Sequence, residues 1–95
     1  MSLPELETFV TVAALGNFSR AAEALHRSQP AISRRIALLE EELGARLLTR
    51  SGGKVALTPA GAAFLPHAEA ALAAMQDGRA AVTIGMVVGT LFFVW

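Results

Sequence analysis

Ser28, Gln29, Pro30, Ser33 and Arg34 put two hydroxyls, a carboxamide, a pyrrolidine ring and a guanidinium on a short stretch of chain. Gln29 and Ser33 are four residues apart, as are Pro30 and Arg34, so on a helix these groups share one ridge. Such a ridge offers hydrogen-bond donors and acceptors, one cation and a small apolar ring. That is chemistry for the edges of base pairs and for phosphate oxygens. Arg34 suits a guanine edge or a phosphate, Gln29 a base edge, and the proline ring a thymine methyl. The hydroxyls of Ser28 and Ser33 suit either a phosphate or a base. Arg50 and Lys54 supply two further cations downstream.

Covalent chemistry has no comparable footing in the sequence. His26 and His67 lie far apart with no carboxylate or thiol constellation around them, and there is no phosphate-cradling glycine loop or metal-ligand spacing. The chain reads as a non-enzyme with no cofactor. It has no cysteine, which excludes disulfides and thiolate metal sites. The formal charge is zero, but seven of the eight basic residues fall between Arg20 and Lys54 against four glutamates, a local excess of +3. Local potential steers a polyanion, so this asymmetry suits a DNA-facing side. The opening MSLPELETF lacks the basic and apolar regions of a secretion signal, and the default expectation is a cytoplasmic protein with no membrane segment.

The elements that must position the ridge are legible in caps and periodicity. Ser28-Gln29-Pro30 is an N-cap followed by a proline in the first helical turn, and Ile32, Ile36, Leu39 and Leu43 make an apolar stripe. Pro30 and Arg34 lie nearly opposite that stripe, with Gln29 and Ser33 on its shoulder. Upstream, Ser2-Leu3-Pro4-Glu5 has the form of a capping box, and Leu6, Phe9, Val10 and Ala13 are the expected inward face of a helix ending at Gly16-Asn17. A second helix, with Ala21, Ala22 and Leu25 on one face, is expected to be capped by Ser19. Downstream, Ser51-Gly52-Gly53 between Leu47-Leu48 and Val55-Leu57 predicts a hairpin over about 46–58. Its Arg50 and Lys54 are either backbone contacts or solubilising charges. Thr58-Pro59 starts a long alanine-rich helix, roughly 30 Å over 59–80, expected to bend near Pro66 and to end at Asp77-Gly78-Arg79. Residues 82–95 are apolar and β-prone, too short and interrupted for a membrane span.

Residue by residue, FSRAAEALHRSQPAISRRIALLEEELG resembles the helix-turn-helix of LysR-type transcriptional regulators, and the likeness continues through LLTRSGGKVALTPAGAAFLPHA. The resemblance implies a mainly α fold: a winged helix-turn-helix over 1–58, with the helix-turn-helix at about 18–37, a three-helix core and a two-stranded wing. A long linker helix would follow over 59–80. It implies a bacterial protein that binds an interrupted palindrome in double-stranded DNA as a homodimer, its third helix in the major groove. Ser28, Gln29, Pro30, Ser33, Arg34, Arg50 and Lys54 are the expected DNA contacts, and Leu65, Ala68, Leu72 and Met75 the expected dimer surface. The stretch 81–95 would open an effector-binding domain otherwise absent from this chain, or form an apolar tail. Any small-molecule effector would act through that domain, and a tetramer is possible only for a full-length protein. Two departures from the family pattern stand out: Gly53 where a basic residue is common, and Leu48 where phenylalanine is common. The competing reading is a helical protein-interaction or dimerisation module without DNA binding.

Overall fold

The computed structural model describes residues 1–93. In order come α1 (Leu3–Leu15), α2 (Phe18–Ala24), α3 (Gln29–Leu43), β1 (Leu48–Ser51), β2 (Lys54–Leu57) and α4 (Pro59–Phe93). The architecture is the expected one: three short helices around one core, a two-stranded antiparallel wing and a long final helix.

Each of the first three helices starts where a side-chain oxygen satisfies an amide that has no partner within the helix. Ser2 accepts from the Glu5 amide, and its hydroxyl donates back to the Glu5 carboxylate at 2.9 Å. Ser28 accepts from the Ala31 amide at 3.2 Å. For α2 the cap is Asn17, whose Oδ1 accepts from the Arg20 amide at 2.9 Å, and not Ser19 as the sequence suggests. The earlier start places Phe18 inside the helix, where its ring is buried, and leaves Ser19 exposed. Gly16 and Gly44 end α1 and α3 in the left-handed region.

The core is built from Leu6, Phe9 and Val12 of α1, Phe18, Ala21 and Ala22 of α2, Ile32, Ile36 and Leu39 of α3, Leu47 and Leu48 at the wing, and Ala68 of α4. Each large aliphatic or aromatic side chain fully withdrawn from water contributes about 1.5–3 kcal/mol. Phe9 also meets Phe64 of α4 with ring centroids 5.7 Å apart. Two apolar positions of the sequence reading shift. Val12, not Ala13, completes the inward face of α1, and Leu43 is 37% exposed because α3 reaches past its neighbours. Thr8 is buried without penalty, since its hydroxyl donates to the Pro4 carbonyl at 2.7 Å.

The wing is tied to the helices through α3 and through the α1–α2 turn. Its strands pair from Leu48↔Leu57 to Ser51↔Lys54, which leaves Gly52 and Gly53 as a two-residue turn with φ of 56° and 77°. Positive φ at both central residues is the hairpin geometry that follows the twist of the strands, and glycine adopts it without strain. This accounts for glycine at position 53. The Leu47 and Leu48 amides donate to Glu40 Oε2 at 2.6 and 3.3 Å, so a carboxylate of α3 holds the entry to β1. The Val55 amide donates to the Gly16 carbonyl at 3.3 Å, tying β2 to the α1–α2 turn.

Thr58 caps α4, accepting from the Gly61 amide at 3.0 Å while its hydroxyl donates to the Arg46 carbonyl. Gly61 then lies directly on the wing entry: a β-carbon there would sit 2.0 Å from the Leu47 carbonyl oxygen. Beyond the core α4 departs from expectation. Pro66 lies inside it, as expected, but instead of ending at Asp77-Gly78-Arg79 it continues as one helix to Phe93. The apolar, β-prone stretch 82–95 is therefore helix as far as Phe93, and residues 94–95 lie outside the described residues. A lone strand has no neighbour to take its amides and carbonyls, whereas a helix satisfies them within itself, and this outweighs the β preference of Val82, Thr83 and Val87. At about 1.5 Å per residue α4 extends for some 50 Å, and the molecule measures 63 × 26 × 19 Å. No described helix is long and apolar enough to cross a membrane.

Candidate nucleic-acid interface

The first turns of α3 build the outer ridge. With Ile32, Ile36 and Leu39 buried, helical geometry forces Ser28, Gln29, Pro30 and Arg34 outward, and all four are exposed. Arg35, nearer the apolar stripe, is half-buried. Ser33 departs from the expected fully exposed ridge: it is half-buried because the wing reaches over it, Arg50 Nη2 donating to Ser33 Oγ at 3.0 Å. The same guanidinium lies over the Phe18 ring, 3.6 Å from its centroid. One β-strand side chain thus joins all three parts of the reader: α2 through Phe18, α3 through Ser33 and the wing through its own backbone.

Between these parts lies an open hollow lined by Asn17, Ser19, Gln29, Arg50 and Lys54. Ser19 Oγ donates to Gln29 Oε1 at 3.5 Å across it. Cations from the wing and hydrogen-bonding groups from two helices therefore face one space. An extended polyanion could lie along it. Lys54 is exposed at the tip of β2, whereas Arg50, though expected to reach outward, has its guanidinium turned onto protein atoms. The bend between α2 and α3 holds the two helices in this relation. It is closed by the Arg27 amide on the Ala22 carbonyl at 2.9 Å and the His26 amide on the Glu23 carbonyl at 3.2 Å. His26 occupies the left-handed position of that closure, with φ of 53°.

The last turn of α3 is tied to the N-terminus of the chain. The Met1 ammonium donates to Glu42 Oε1 at 2.7 Å. That bond holds the amine above its ordinary range, against some desolvation, with the Glu42 and Glu5 charges adding to it. Arg46 pairs with Glu40 at 3.5 Å.

The residues expected to form a dimer surface fare differently from one another. Ala68 is 1% exposed within the chain's own core, and Leu65 and Leu72 are half-buried against it. The first turns of α4 have to cover α1, so this stripe is largely used inside the protomer. Met75, beyond the reach of α1, is 49% exposed. Sequence reasoning missed Glu40, Gly61 and Asn17. Asn17 carries a recognisable cap signal, while the other two act only through contacts distant in sequence.

Three helices, a two-stranded wing and a cationic hollow beside the ridge of α3 define a winged helix-turn-helix domain of the kind that binds DNA. Comparison with known proteins makes the assignment specific. Residues 3–62 match the model of the bacterial regulatory helix-turn-helix protein, lysR family. An HTH-type transcriptional regulator from the ibpB-leuC intergenic region of Azotobacter vinelandii is 49% identical over 82 residues, which cover 86% of this chain and 57% of that protein. The Hca operon transcriptional activator HcaR of Escherichia coli is 48% identical over 79 residues, 83% of this chain and 27% of the activator. Among solved structures, the CbnR DNA-binding domain in complex with DNA superposes with a TM-score of 0.80 at 41% identity, covering 90% of this chain and 99% of that domain. The chain belongs to the LysR family of bacterial regulatory helix-turn-helix proteins, and it carries that family's DNA-binding domain. It spans about half the length of the Azotobacter relative and about a quarter of HcaR.

Proposed function

We propose that this chain binds double-stranded DNA sequence-specifically and regulates transcription, with α3 in the major groove and the wing against the flanking backbone. The observation that carries the reading is the exposure of Ser28, Gln29, Pro30 and Arg34 on the outer face of a helix whose inner face is buried, beside a hollow bearing Arg50 and Lys54. Gln29 and Arg34 read base edges, Pro30 meets a thymine methyl, and Ser28 and Ser33 bind a phosphate or a base. Lys54 neutralises phosphate, and Arg50 lies close enough to add to that field. The setting is the cytoplasm, where bacterial DNA lies.

The occupant proposed for the exposed side of α4 is a second copy of the chain, with Met75 and the open flanks of Leu65 and Leu72 at the contact. The exposed Val82, Ile84 and Val87 favour it, since a helix left apolar on every side associates in water. A twofold pair would present two copies of α3 to an interrupted palindrome. Effector binding and a tetramer belong to this reading only in a longer protein.

Selection from random duplexes, followed by titration of the selected sequence at several salt concentrations, tests the reading. Arg34→Ala is expected to cost about 1–3 kcal/mol of discrimination at one base pair. Lys54→Ala should weaken all duplexes alike and lower the salt slope by about one. Retention of both properties in both variants would sink the assignment of this face, and a monomer by ultracentrifugation at micromolar concentration would sink the dimer.

A further inference from the structure

We propose that Arg50 is a positioning residue that sets Ser33 as a hydrogen-bond donor toward the duplex, so that Ser33 selects acceptors on the DNA. The inference rests on the DNA-binding reading above and deepens it. A serine hydroxyl has one proton and two lone pairs, whereas a guanidinium only donates. The 3.0 Å bond from Arg50 Nη2 therefore occupies a lone pair of Ser33 Oγ and leaves the proton unspent. Two other helical hydroxyls in the chain spend theirs on the carbonyl four residues back. Thr8 donates to Pro4 at 2.7 Å and Thr83 to Arg79 at 3.2 Å. Among the described residues Ser33 makes no such bond.

The guanidinium is held for this task from below and from behind. The Phe18 ring, itself buried, supports it at 3.6 Å, a distance at which the ring face attracts a cation. The pairing of Arg50 with Val55 sets where the side chain leaves the wing. A hydroxyl polarised by a bound cation is a stronger donor, since hydrogen bonds in a chain reinforce one another. Directed into a major groove, that proton suits purine N7, guanine O6, thymine O4 or a phosphate oxygen, and is poorly matched to the amino groups of cytosine and adenine. The wing thus determines what a recognition-helix side chain reads, although it need not touch the base itself.

The test is a double-mutant cycle on base preference, using duplexes selected by the wild-type chain and their single-base variants. Ser33→Ala and Arg50→Ala should each lose about a tenfold preference at the same base pair while preferences elsewhere stand. The double variant should lose no more than either single one. Arg50→Lys should keep the salt slope yet lose the preference, because a compact ammonium lacks the planar fork that lies on Phe18 while reaching Ser33. Ser33→Thr, which restores a hydroxyl, should recover it. Additive losses, or an Arg50→Lys variant with wild-type preference beside an Arg50→Ala variant that weakens all sequences alike, would make Arg50 a phosphate contact and overturn the proposal. In the free protein, Arg50 guanidinium resonances that lack a ring-current shift from Phe18, or that do not move on Ser33→Ala, would overturn it without reference to DNA. A wild-type chain without salt-dependent duplex binding would instead sink the DNA reading itself, and this inference with it.

Discussion

The two ends of α4 obey the same backbone rule and differ in everything else. From Pro59 to Leu72 the helix lies against the core: Gly61 touches the Leu47 backbone, Phe64 meets Phe9, and Ala68 is buried. From Ala73 to Val88 every side chain is exposed, including Val82, Ile84 and Met86 at 63%, 63% and 68%. Helical hydrogen bonding is local and continues wherever nothing better is offered, whereas packing needs a partner surface at each position. A continuous helix is therefore not a uniformly stable one.

Glycine substitutions at the two ends give the sharpest contrast. Gly61→Ala drives a methyl into a backbone carbonyl that cannot rotate aside, and overpacking of this kind costs about 3 kcal/mol or more. A urea titration should register that loss, and an unchanged midpoint would mean that α4 does not approach the wing so closely. Gly78→Ala in the same helix meets nothing within 4 Å. There alanine should favour the helix by about 1 kcal/mol and raise the circular dichroism signal at helical wavelengths. A fall in helicity would restore Gly78 as a helix terminator and break the comparison.

Next in size is the carboxylate that joins α3 to the wing. Glu40→Ala leaves the Leu47 and Leu48 amides without their acceptor, at a cost of about 1–3 kcal/mol. Amide exchange should quicken across β1 and β2 before it quickens in α1. Equal acceleration everywhere would argue that Glu40 serves the whole core and not the wing. The last effect expected is, as at Gly78, a small gain. His26→Gly relieves a side chain held at φ of 53°, and the melting temperature should rise by an amount corresponding to about 1 kcal/mol. A drop would show that the imidazole makes a contact worth more than the strain.

Much of this fold could be read from the chain because it is encoded locally. Ser2 and Ser28 announce caps, Gly16 and Gly44 announce ends, and Ile32, Ile36 and Leu39 announce a buried stripe, each through residues within one or two helical turns. The outward ridge of Gln29, Pro30 and Arg34 follows from that stripe by helical geometry alone. Ser19 was the wrong cap because two neighbouring polar residues carry the same signal, and the burial of Phe18 decides between them. Leu65, Ala68 and Leu72 look in sequence like an interface of any kind, and only their fit against the core separates an intrachain surface from one shared between copies.

What the amino-acid order determined by itself was the set of helices, the two-glycine turn and the face of α3 that meets solvent, since these depend on φ preference, capping and period. Tertiary structure alone decided that Gly61 must have no side chain, that Glu40 holds the wing and that Arg50 folds back over Phe18 and Ser33. It also decided how far α4 runs. In each of these cases the deciding partner lies many residues away, or is a strand that is not there to pair with. Neither a nearby spacing nor a residue type records such a condition.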